Sequence, residues 1–558
     1  MPWARRPLIA RGYHVPVTSP SPTDQLEVEW QYSTPDTARV VQWLESGVVP
    51  GYTVTPGKTK DLHDTYFDSA DWRVHRAGFT CRVRDKGDSS ELTLKSMADA
   101  VGAMRSRREM TEALDAGALP MAAGGPCGET LRLVAGRHPL EPIFALHTHR
   151  QTFMLADTAG TLGEIAVDET TIPVEGGTPA RLLRVEVEVD GAAVSRAQRF
   201  VDLLVATCSL APAGTSKFEA ALLATGKTVT NPAAGIGSTA IDASMTAGEV
   251  AFAVMRKQFA AILNNEAGTR IGEDIEALHD MRVATRRLRA AMSAFGPFLT
   301  PRILGFRQQF GWIAAALGEV RDLDVQIERM EEWRAGVTEA QSVALNSVEQ
   351  LFVQRRHLAR RRMLFALNSR RYDLLVERFA SFLGRGPART YAPGRVPILS
   401  VAPDLVERRY LKVRKMGDRI RPSSPPTAYH LLRIDAKKLR YALEFVGGIY
   451  GKQAVDFSVR VTAMQDVLGL HQDADVAMHM LQEMAETSGR KLGAPAILAM
   501  GAIAERYRVH AQELRAQFPR VYKPLSGDEW RRLQKLMDSR RPPPGTAAAA
   551  AATSKGRR

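Results

Sequence analysis

The chain has 558 residues, of which 45% are hydrophobic and 24% charged, a composition that excludes wholesale disorder and predicts a few globular domains. No run of 18 apolar residues is free of charge, and the N-terminus has no apolar stretch of signal-peptide length. We therefore expect a cytoplasmic protein without a membrane span. Three widely spaced cysteines predict neither a disulfide framework nor a zinc site.

The positive charge lies in the second half of the chain. The formal net charge is +14, and residues 246–540 contain 47 Lys and Arg against 32 Asp and Glu, so 47 − 32 = +15. The remainder is nearly neutral, since 14 − 15 = −1. A basic half indicates a polyanionic partner, such as nucleic acid, an anionic membrane surface or polyphosphate. A basic surface that only keeps the protein soluble explains the charge balance equally well.

The N-terminal part of the chain carries the signature of β-structure. After a tail expected to be disordered over 1–24, short segments such as LEVEWQY, FTCRVRD and LLRVEVEVD alternate apolar and polar residues over 25–220. This period of two predicts antiparallel strands, interrupted by helices near 35–46 and 193–208. Residues 221–245 are expected to form a linker.

Charged residues alternate within these strands, which predicts a polar tunnel. In a closed antiparallel barrel every second residue faces the lumen, and buried charge is costly unless it is paired or used. Arg and Lys would then bind phosphate oxygens, and clustered carboxylates would bind Mg²⁺ or Mn²⁺. A solvated outer face remains the alternative for any single strand. The alternating pairs are Glu27 and Glu29, Arg82 and Arg84, Thr93 and Lys95, Arg107 and Glu109, Glu164 and Asp168, and Glu186 and Glu188.

The second half is predicted to be helical and duplicated. From 246 to 540 the apolar residues recur with a period near 3.6, with a break over 384–403. The segment HDMRVATRRLR begins at His279 and HLLRIDAKKLR at His430, while LGEVRDLDV begins at Leu317 and LGLHQDADV at Leu468. Both pairs share one offset, since 430 − 279 and 468 − 317 are both 151. One offset for two motifs predicts two similar helical bundles over about 246–395 and 396–540, related by an approximate two-fold axis. A disordered tail is expected over 541–558.

Each repeat carries a stripe of cations along one helix face. Members at i, i+3, i+7 and i+10 lie in one row, and one more residue widens each row. Like charges in a row call for a compensating anion. The stripe residues are His279, Arg282, Arg286, Arg287 and Arg289, and His430, Arg433, Lys437, Lys438 and Arg440.

Two sources of that negative charge are compatible with the sequence. Asp322, Asp324, Asp473 and Asp475 could pair with the stripes in an internal network, or the stripes could line a groove for a polyanion. The cations outnumber these acids, and aromatic residues for base stacking are sparse, which favours polyphosphate as the ligand. General affinity for nucleic acid stays open for any such basic surface.

Residues 246–540 resemble the CHAD domain, through HxxRVxxRRLR and LGxxRDLDV in the first repeat and HxxRIxAKKLRY in the second. The resemblance implies a duplicated four-helix module that binds inorganic polyphosphate through the stripe residues, often at polyphosphate granules.

Residues 25–220 resemble the CYTH domain, the triphosphate tunnel fold. The segments that carry the resemblance include EVEWQ (27–31), DTYFDS (64–69), CRVR (81–84), LTLK (92–95), RRE (107–109), IAVDE (165–169), VEVEV (185–189) and SKFE (216–219). The family motif Glu-x-Glu-x-Lys supplies metal-binding acids and a catalytically important lysine. Glu27 and Glu29 match it, but Gln31 occupies the lysine position, and a neutral amide cannot supply that charge.

The two resemblances together imply an α+β protein with an N-terminal antiparallel β-barrel tunnel and a C-terminal all-α domain. They imply catalytic roles for Lys95 and Arg82. The phosphate-binding set in the tunnel would be Arg82, Arg84, Lys95, Arg107 and Lys217, and the metal-binding set would be Glu27, Glu29, Asp168, Glu186 and Glu188.

We expect an inorganic polyphosphate-binding protein whose tunnel binds triphosphate or phosphate ends and a divalent metal, with weak hydrolytic activity. The alternative is a metal-dependent inorganic triphosphatase that its helical domain localises. Gln31 is the feature that separates the two.

Overall fold

The computed structural model describes residues 24–46, 49–97 and 102–543, apart from the side chains of 24–27. The described chain divides into two compact units. One runs up to Asn231 and includes Arg270–Asp274, and the other comprises Pro232–Thr269 and the described residues from Ile275 onward. Among the described helices, none combines the length and the apolar character that a membrane crossing needs.

The first unit is a barrel of antiparallel strands. The short strand β9 pairs beside β1, and the other eight close on themselves in the order β1-β5-β4-β3-β2-β6-β7-β8, because β1 pairs with both β5 and β8. The strands are β1 (Asp24–Ser33), β2 (Tyr52–Asp68), β3 (Phe79–Asp85), β4 (Ser89–Ser96), β5 (Met104–Asp115), β6 (Glu141–Asp157), β7 (Gly160–Ile172), β8 (Ala180–Val189) and β9 (Ala211–Pro212).

Short helices lie outside the barrel wall: α1 (Thr37–Glu45), α2 (Arg73–Arg76), α3 (Pro126–Ala135) and α4 (Val194–Cys208). A fifth helix, α5 (Lys217–Thr225), packs instead against lumen-facing residues, among them Tyr66, Phe144 and Ile172. Other apolar residues of the strands pack under the four outer helices. On β8, Val185, Val187 and Val189 share a core with Phe200 and Leu204 of α4. A second apolar cluster forms where β3, β4 and β5 meet α3. Since side chains alternate along a strand, the charged residues between these apolar ones face the lumen.

The second unit is all helical. Its helices are α6 (Ala247–Ile271), α7 (Ile275–Ala294), α8 (Ile303–Glu328), α9 (Met330–Ala335), α10 (Glu339–Leu367), α11 (Arg370–Arg385), α12 (Ile398–Gly417), α13 (Pro426–Tyr450), α14 (Lys452–Leu492), α15 (Ala494–Tyr522) and α16 (Asp528–Ser539). Phe259, Phe306, Phe310 and Phe382 pack around Phe379 at its core, with ring centroids 4.9–5.9 Å from that of Phe379.

The internal repeat is visible in where the helices begin. The first residues of α6 and α12 are 151 apart (398 − 247), and so are those of α7 and α13 (426 − 275). A second core lies farther along the bundle, where Trp333 and Phe352 of the first repeat pack with Met484 and Ile503 of the second. The two repeats therefore share apolar cores within one unit.

The predicted fold class, an antiparallel barrel followed by an all-α region, is confirmed. The sequence pattern located β3 and the helices α1 and α4 closely, but it missed the full extent of β2 and β6, each 17 residues long. Both are rich in charged and polar residues and contain an internal register shift, which disturbs a period of two. At the end of the barrel unit, α5 continues to Thr225, so the irregular connection begins at Gly226. Residues 1–23 and 544–558 of the expected tails lie outside the described residues.

Candidate functional site

One group of lumen charges lies where β6, β7 and β8 meet α5. Arg150 donates to both oxygens of Asp168, at 2.8 and 2.7 Å, and to Glu186 at 2.7 Å. Lys217 also contacts both acids, with its ammonium 2.9 Å from Glu186. Burial raises the pKa of Glu186, but Lys217 and Arg150 outweigh burial and hold it well below its usual range. The two acids and two cations are thus mutually neutralised.

The α5 terminus places Lys217 in this group. Ser216 caps the helix by accepting from the backbone of Glu219, and the Glu219 carboxylate accepts in return from the backbone of Ser216 at 2.7 Å. This capping box fixes the first turn of the helix. Lys217 is the first helical residue, so its ammonium is held over Asp168.

A second group surrounds Glu29 of β1. Arg107 contacts the buried Glu29 carboxylate directly, and the Lys95 ammonium lies 3.9 Å from it and 2.9 Å from Glu109. Gln31 donates from its amide to Glu29 at 3.0 Å and to Glu186 at 3.4 Å. The glutamine therefore bridges two carboxylates without adding positive charge.

A third group lies on β2 and β3. Arg84 forms a bidentate pair with Asp64, at 2.7 and 2.9 Å, and Arg82 lies 3.7 Å from the same carboxylate while donating to Thr93. Burial raises the pKa of Asp64, but the neighbouring Arg82 and Arg84 lower it below its usual value. The three groups bring together all five residues predicted to bind phosphate.

The predicted metal ligands are distributed differently. Glu29, Asp168 and Glu186 are each held by Arg or Lys, and within the described residues no three His, Cys, Asp or Glu side chains are close enough to share an ion. Glu27 pairs with Arg107 in the strand ladder, and its side chain lies outside the described ones. As they stand, the described carboxylates do not fit a Mg²⁺ or Mn²⁺ site, because the cations already occupy their lone pairs.

Glu188 differs from the other lumen acids. It forms no ion pair within the described residues, and burial raises its pKa. Glu109, Glu164 and Glu186 raise it further, while Lys95 lowers it. A carboxylate held among other carboxylates binds a proton more readily than an ordinary one.

Four charged lumen residues were missed by the sequence analysis: Asp64, Arg105, Arg150 and Arg184. Asp64 lay inside a quoted motif, and Arg184 stands two residues before Glu186 on the same face of β8. Arg184 is 3% exposed and donates from Nη2 to the Thr215 carbonyl at 2.6 Å, while its Nε and Nη1 find no hydrogen-bond partner in the described part of the chain. Burial and the positive charge of Arg105 lower its pKa, although Glu186 raises it.

In the helical unit, the stripes of α7 and α13 meet. Arg286 donates from Nε to the Tyr441 hydroxyl at 2.9 Å, which joins the two helices. Arg282, Arg286, Arg433 and Lys437 lie close enough to perturb one another, and we term these four residues the α7–α13 cation cluster. Arg282 and Arg433 occupy equivalent positions of the two repeats, as do Arg286 and Lys437, so the cluster is built by the repeat.

The electrostatics of the cluster are visible in Lys437. Burial lowers its pKa to about 7, with further lowering by Arg433, Arg286 and Arg282 against an opposing effect of Asp473. Neither Arg433 nor Lys437 forms a side-chain hydrogen bond or ion pair with the described residues, and Nε of Arg433 is buried without a partner. The site is therefore a partly desolvated region of excess positive charge.

Two glycines on the neighbouring helices face the guanidinium groups of Arg282 and Arg433. The Arg282 guanidinium Nε is 3.7 Å from the position that a Cβ would take at Gly318 of α8, and the Arg433 guanidinium is at the same distance from that position at Gly469 of α14. These glycines are also equivalent positions of the two repeats. Each guanidinium thus rests against a helix backbone that presents no side chain.

The predicted internal acid network is only partly present. Asp322 accepts from Arg282 at 2.9 Å, but Asp324 pairs with Arg356, and Asp473 lies 3.8 Å from Arg329. Asp475 lies 3.8 Å from His479 on its own helix. Only Asp322 makes a direct bond to a stripe cation, so the four acids leave the cluster positively charged.

The remaining stripe residues have separate surroundings. Arg287 and Arg440 share Glu444, at 3.0 and 3.6 Å, and His430 bonds Gln472 at 2.5 Å. Lys438 turns away from the cluster, because it pairs with Asp435 together with Lys412 of α12. Two members make no side-chain bond to the described residues: the exposed Arg289 and the half-buried His279.

Comparison with known domains identifies both units. Residues 27–208 match the model of the CYTH domain and residues 253–482 that of the CHAD domain. The chain carries a CYTH domain followed by a CHAD domain. A comparison with curated proteins found no match.

Solved structures resemble each half separately. The CHAD domain of Ricinus communis is 25% identical, with 51% of this chain and 94% of that one covered and a TM-score of 0.42. PptA from Streptomyces chartreusis is 20% identical over 50% of this chain and 100% of that one, with a TM-score of 0.41. A Hippeastrum protein described as having a dominant triphosphatase activity is 16% identical over 36% and 96%, with a TM-score of 0.28.

The contrast between Glu186 and Glu188 predicts opposite effects on stability. The lowered pKa of Glu186 means that its charged form stabilises the fold above the unfolded pKa, and this contribution is lost as the pH falls. The raised pKa of Glu188 means that its ionisation opposes folding at neutral pH. We expect Glu186→Gln to lower the free energy of unfolding of the CYTH domain at pH 7, and Glu188→Gln to raise it only slightly, because the exposed Glu188 carboxylate is screened by solvent.

Urea titrations of the two variants and the wild type at pH 7 and at about pH 4 measure these differences. The Glu188 difference should shrink at the lower pH, where that carboxylate is protonated in both states, whereas most of the Glu186 difference should persist, because its lowered pKa keeps the folded-state carboxylate ionised. Equal destabilisation by the two substitutions would contradict this description of the lumen.

Proposed function

We propose that the protein binds inorganic polyphosphate at the α7–α13 cation cluster of its CHAD domain. The observation that carries the proposal is the partly desolvated Lys437 beside Arg433, Arg286 and Arg282, with Asp322 as the only acid bonded to them among the described residues. Bringing a chain of phosphates to this place would relieve cation repulsion and supply acceptors for unpartnered guanidinium N–H groups.

The surroundings of the cluster favour a ligand without bases. Tyr441, the aromatic residue beside it, is 4% exposed, and its hydroxyl already accepts from Arg286. Its ring stacks on Phe445 at 6.2 Å between centroids, and the Arg440 guanidinium lies 5.2 Å from the ring centroid. A buried ring whose surroundings are already occupied offers no platform for a nucleobase, whereas phosphates need only the cations.

The CYTH tunnel would bind the end of a phosphate chain or a free triphosphate. Its described cations lie in three groups within the lumen, and Arg184 supports an anion there with two N–H groups that lack hydrogen-bond partners among the described residues. Because Arg107, Arg150 and Lys217 are already paired with carboxylates, an incoming phosphate would have to compete with Glu29, Asp168 and Glu186. We therefore expect tunnel binding to be weaker per phosphate than binding at the open cluster.

Hydrolysis of triphosphate is the second candidate function, and Glu188 favours it. A lumen carboxylate that forms no ion pair with the described residues and has a raised pKa is suited to accept a proton from an attacking water. Gln31 opposes efficient turnover, because it places a neutral amide between Glu29 and Glu186 where the family motif has a lysine. We propose that this chain retains at most slow turnover.

Charge reversal tests the polyphosphate site. We expect Arg282→Glu with Arg433→Glu to weaken polyphosphate binding about a hundredfold or more, because each lost charge-assisted contact contributes about 1.5–3 kcal/mol. The dependence of log K on log salt should also become shallower, since fewer counterions are released. Calorimetric titrations at about 50 and 200 mM salt measure both effects.

The matched control is Arg378→Glu with Arg520→Glu, which changes the net charge equally at exposed positions outside the stripes. If the control loses as much affinity as the stripe variant, binding depends on overall charge and the assignment of the cluster is wrong.

Orthophosphate release from tripolyphosphate, measured with Mg²⁺, Mn²⁺ and EDTA, tests the tunnel. We expect slow release by the wild type and an increase on the order of a hundredfold in Gln31→Lys, because one added charge between Glu29 and Glu186 would stabilise the transferring phosphate. Glu29→Ala is the control that should show no gain. Rapid release by the wild type that Glu29→Ala abolishes and Gln31→Lys leaves unchanged would instead establish the chain as a triphosphatase in its own right.

A further inference from the structure

A cavity of about 550 Å³ opens in the helical unit away from the cation cluster. It lies between α6, the loop before α8, and the loop that follows α11, and none of its lining residues belongs to a stripe. Its volume is within the range of about 300–1,000 Å³ that is typical of small-molecule sites.

Aromatic rings form the floor of the cavity. Phe252 of α6 and Phe382 of α11 pack with their centroids 4.9 Å apart and are only 2% and 8% exposed, so the half-buried rings of Phe298 and Tyr391 are the ones open to a ligand. Arg256 lies 5.7 Å from the Phe252 centroid and donates to the carbonyl of Leu383 at 2.8 Å, which ties α6 to the end of α11. The floor is therefore held by packing on both sides.

Arginines form the rim. Arg302, Arg385 and Arg389 are all exposed and line the opening, and no carboxylate does so among the described residues. Arg385 makes one bond, to Ser381 on its own helix at 2.8 Å. The side chains of Arg302 and Arg389 make no hydrogen bond or ion pair with the described residues. The cavity therefore combines three guanidinium groups at its opening with aromatic rings beneath them. No described residue of its lining neutralises that positive charge.

We propose that this cavity binds a nucleoside phosphate, with the base against the half-buried rings of Phe298 and Tyr391 and the phosphate at the arginine rim. A purely apolar ligand would leave three cations uncompensated, and a polyphosphate would leave the rings unused. A nucleotide satisfies both, because a planar base stacks on aromatic rings and a phosphate accepts from several guanidinium groups at once. The site is independent of the polyphosphate cluster.

Calorimetry of the full chain with AMP, GMP, CMP and UMP, and with ribose 5-phosphate as the base-free probe, tests the proposal. We expect at least one nucleotide to bind at least about tenfold more tightly than ribose 5-phosphate, since stacking of one base contributes about that much. Arg302→Ala with Arg389→Ala should weaken that nucleotide about tenfold or more, and Phe298→Leu should reduce its advantage over ribose 5-phosphate.

Two controls separate this site from the rest of the surface. Arg378→Ala removes a charge from the same helix as Arg385 without touching the cavity, and it should leave nucleotide affinity unchanged. Arg282→Ala with Arg433→Ala should weaken polyphosphate but not nucleotide binding. The proposal is overturned if none of the four nucleotides binds, if ribose 5-phosphate binds equally well, or if the rim variant behaves like the control.

Discussion

Holding charged side chains away from water is the constraint on which both domains depend. Removing a charge from water costs free energy unless an opposite charge or a hydrogen-bonding partner within the protein compensates it. Where the protein provides no such partner, a bound ligand can supply it. The CYTH barrel meets most of this requirement from within, since Glu29, Asp168 and Glu186 are paired with Arg107, Arg150 and Lys217. Glu188 and two N–H groups of Arg184 are exceptions among the described lumen groups. The apolar cores can then lie on the outside of the barrel wall, under the covering helices.

The CHAD domain meets the same constraint only in part. Its duplicated helices α7 and α13 bring two rows of cations face to face. Because the two helices are repeats, each cation of one row has an equivalent in the other. Asp322 compensates Arg282, while the counterpart Asp473 is drawn toward Arg329 and leaves Arg433 without a direct partner among the described residues. The asymmetry concentrates uncompensated charge around Lys437, and this residual charge supports the proposed binding of a polyanion.

Periodicity predicted much of this architecture, because it depends only on residues near one another in the chain. Alternation placed Arg82, Arg84 and Lys95 on lumen-facing strand positions, and the constant offset between the repeats predicted the equivalence of Arg282 and Arg433. Periodicity does not show which other strand or helix lies beside a given residue. Arg150 was missed for this reason, since its role comes from Asp168 and Glu186 on two other strands.

The same limit explains the residues whose surroundings differ from the expectation. Lys438 is only about 100° around the helix from its neighbour in the row, but that turn brings it to Lys412 and Asp435 rather than to α7. The acids predicted to gather around a metal are separated by the cations between them. Whether a charged side chain is paired or available for a ligand depends on which residues the fold places beside it, and not on its own residue type.

The titration of Lys437 tests the central claim most directly. In the protein labelled with ¹⁵N-lysine, with Lys437→Gln used to assign the signal, NMR should give a pKa of about 7 without ligand. Saturating polyphosphate should raise it toward the ordinary lysine value of about 10.4, because nearby phosphates favour the ammonium form. A pKa already near the ordinary value in the free protein, or one that polyphosphate leaves unchanged, would contradict the account.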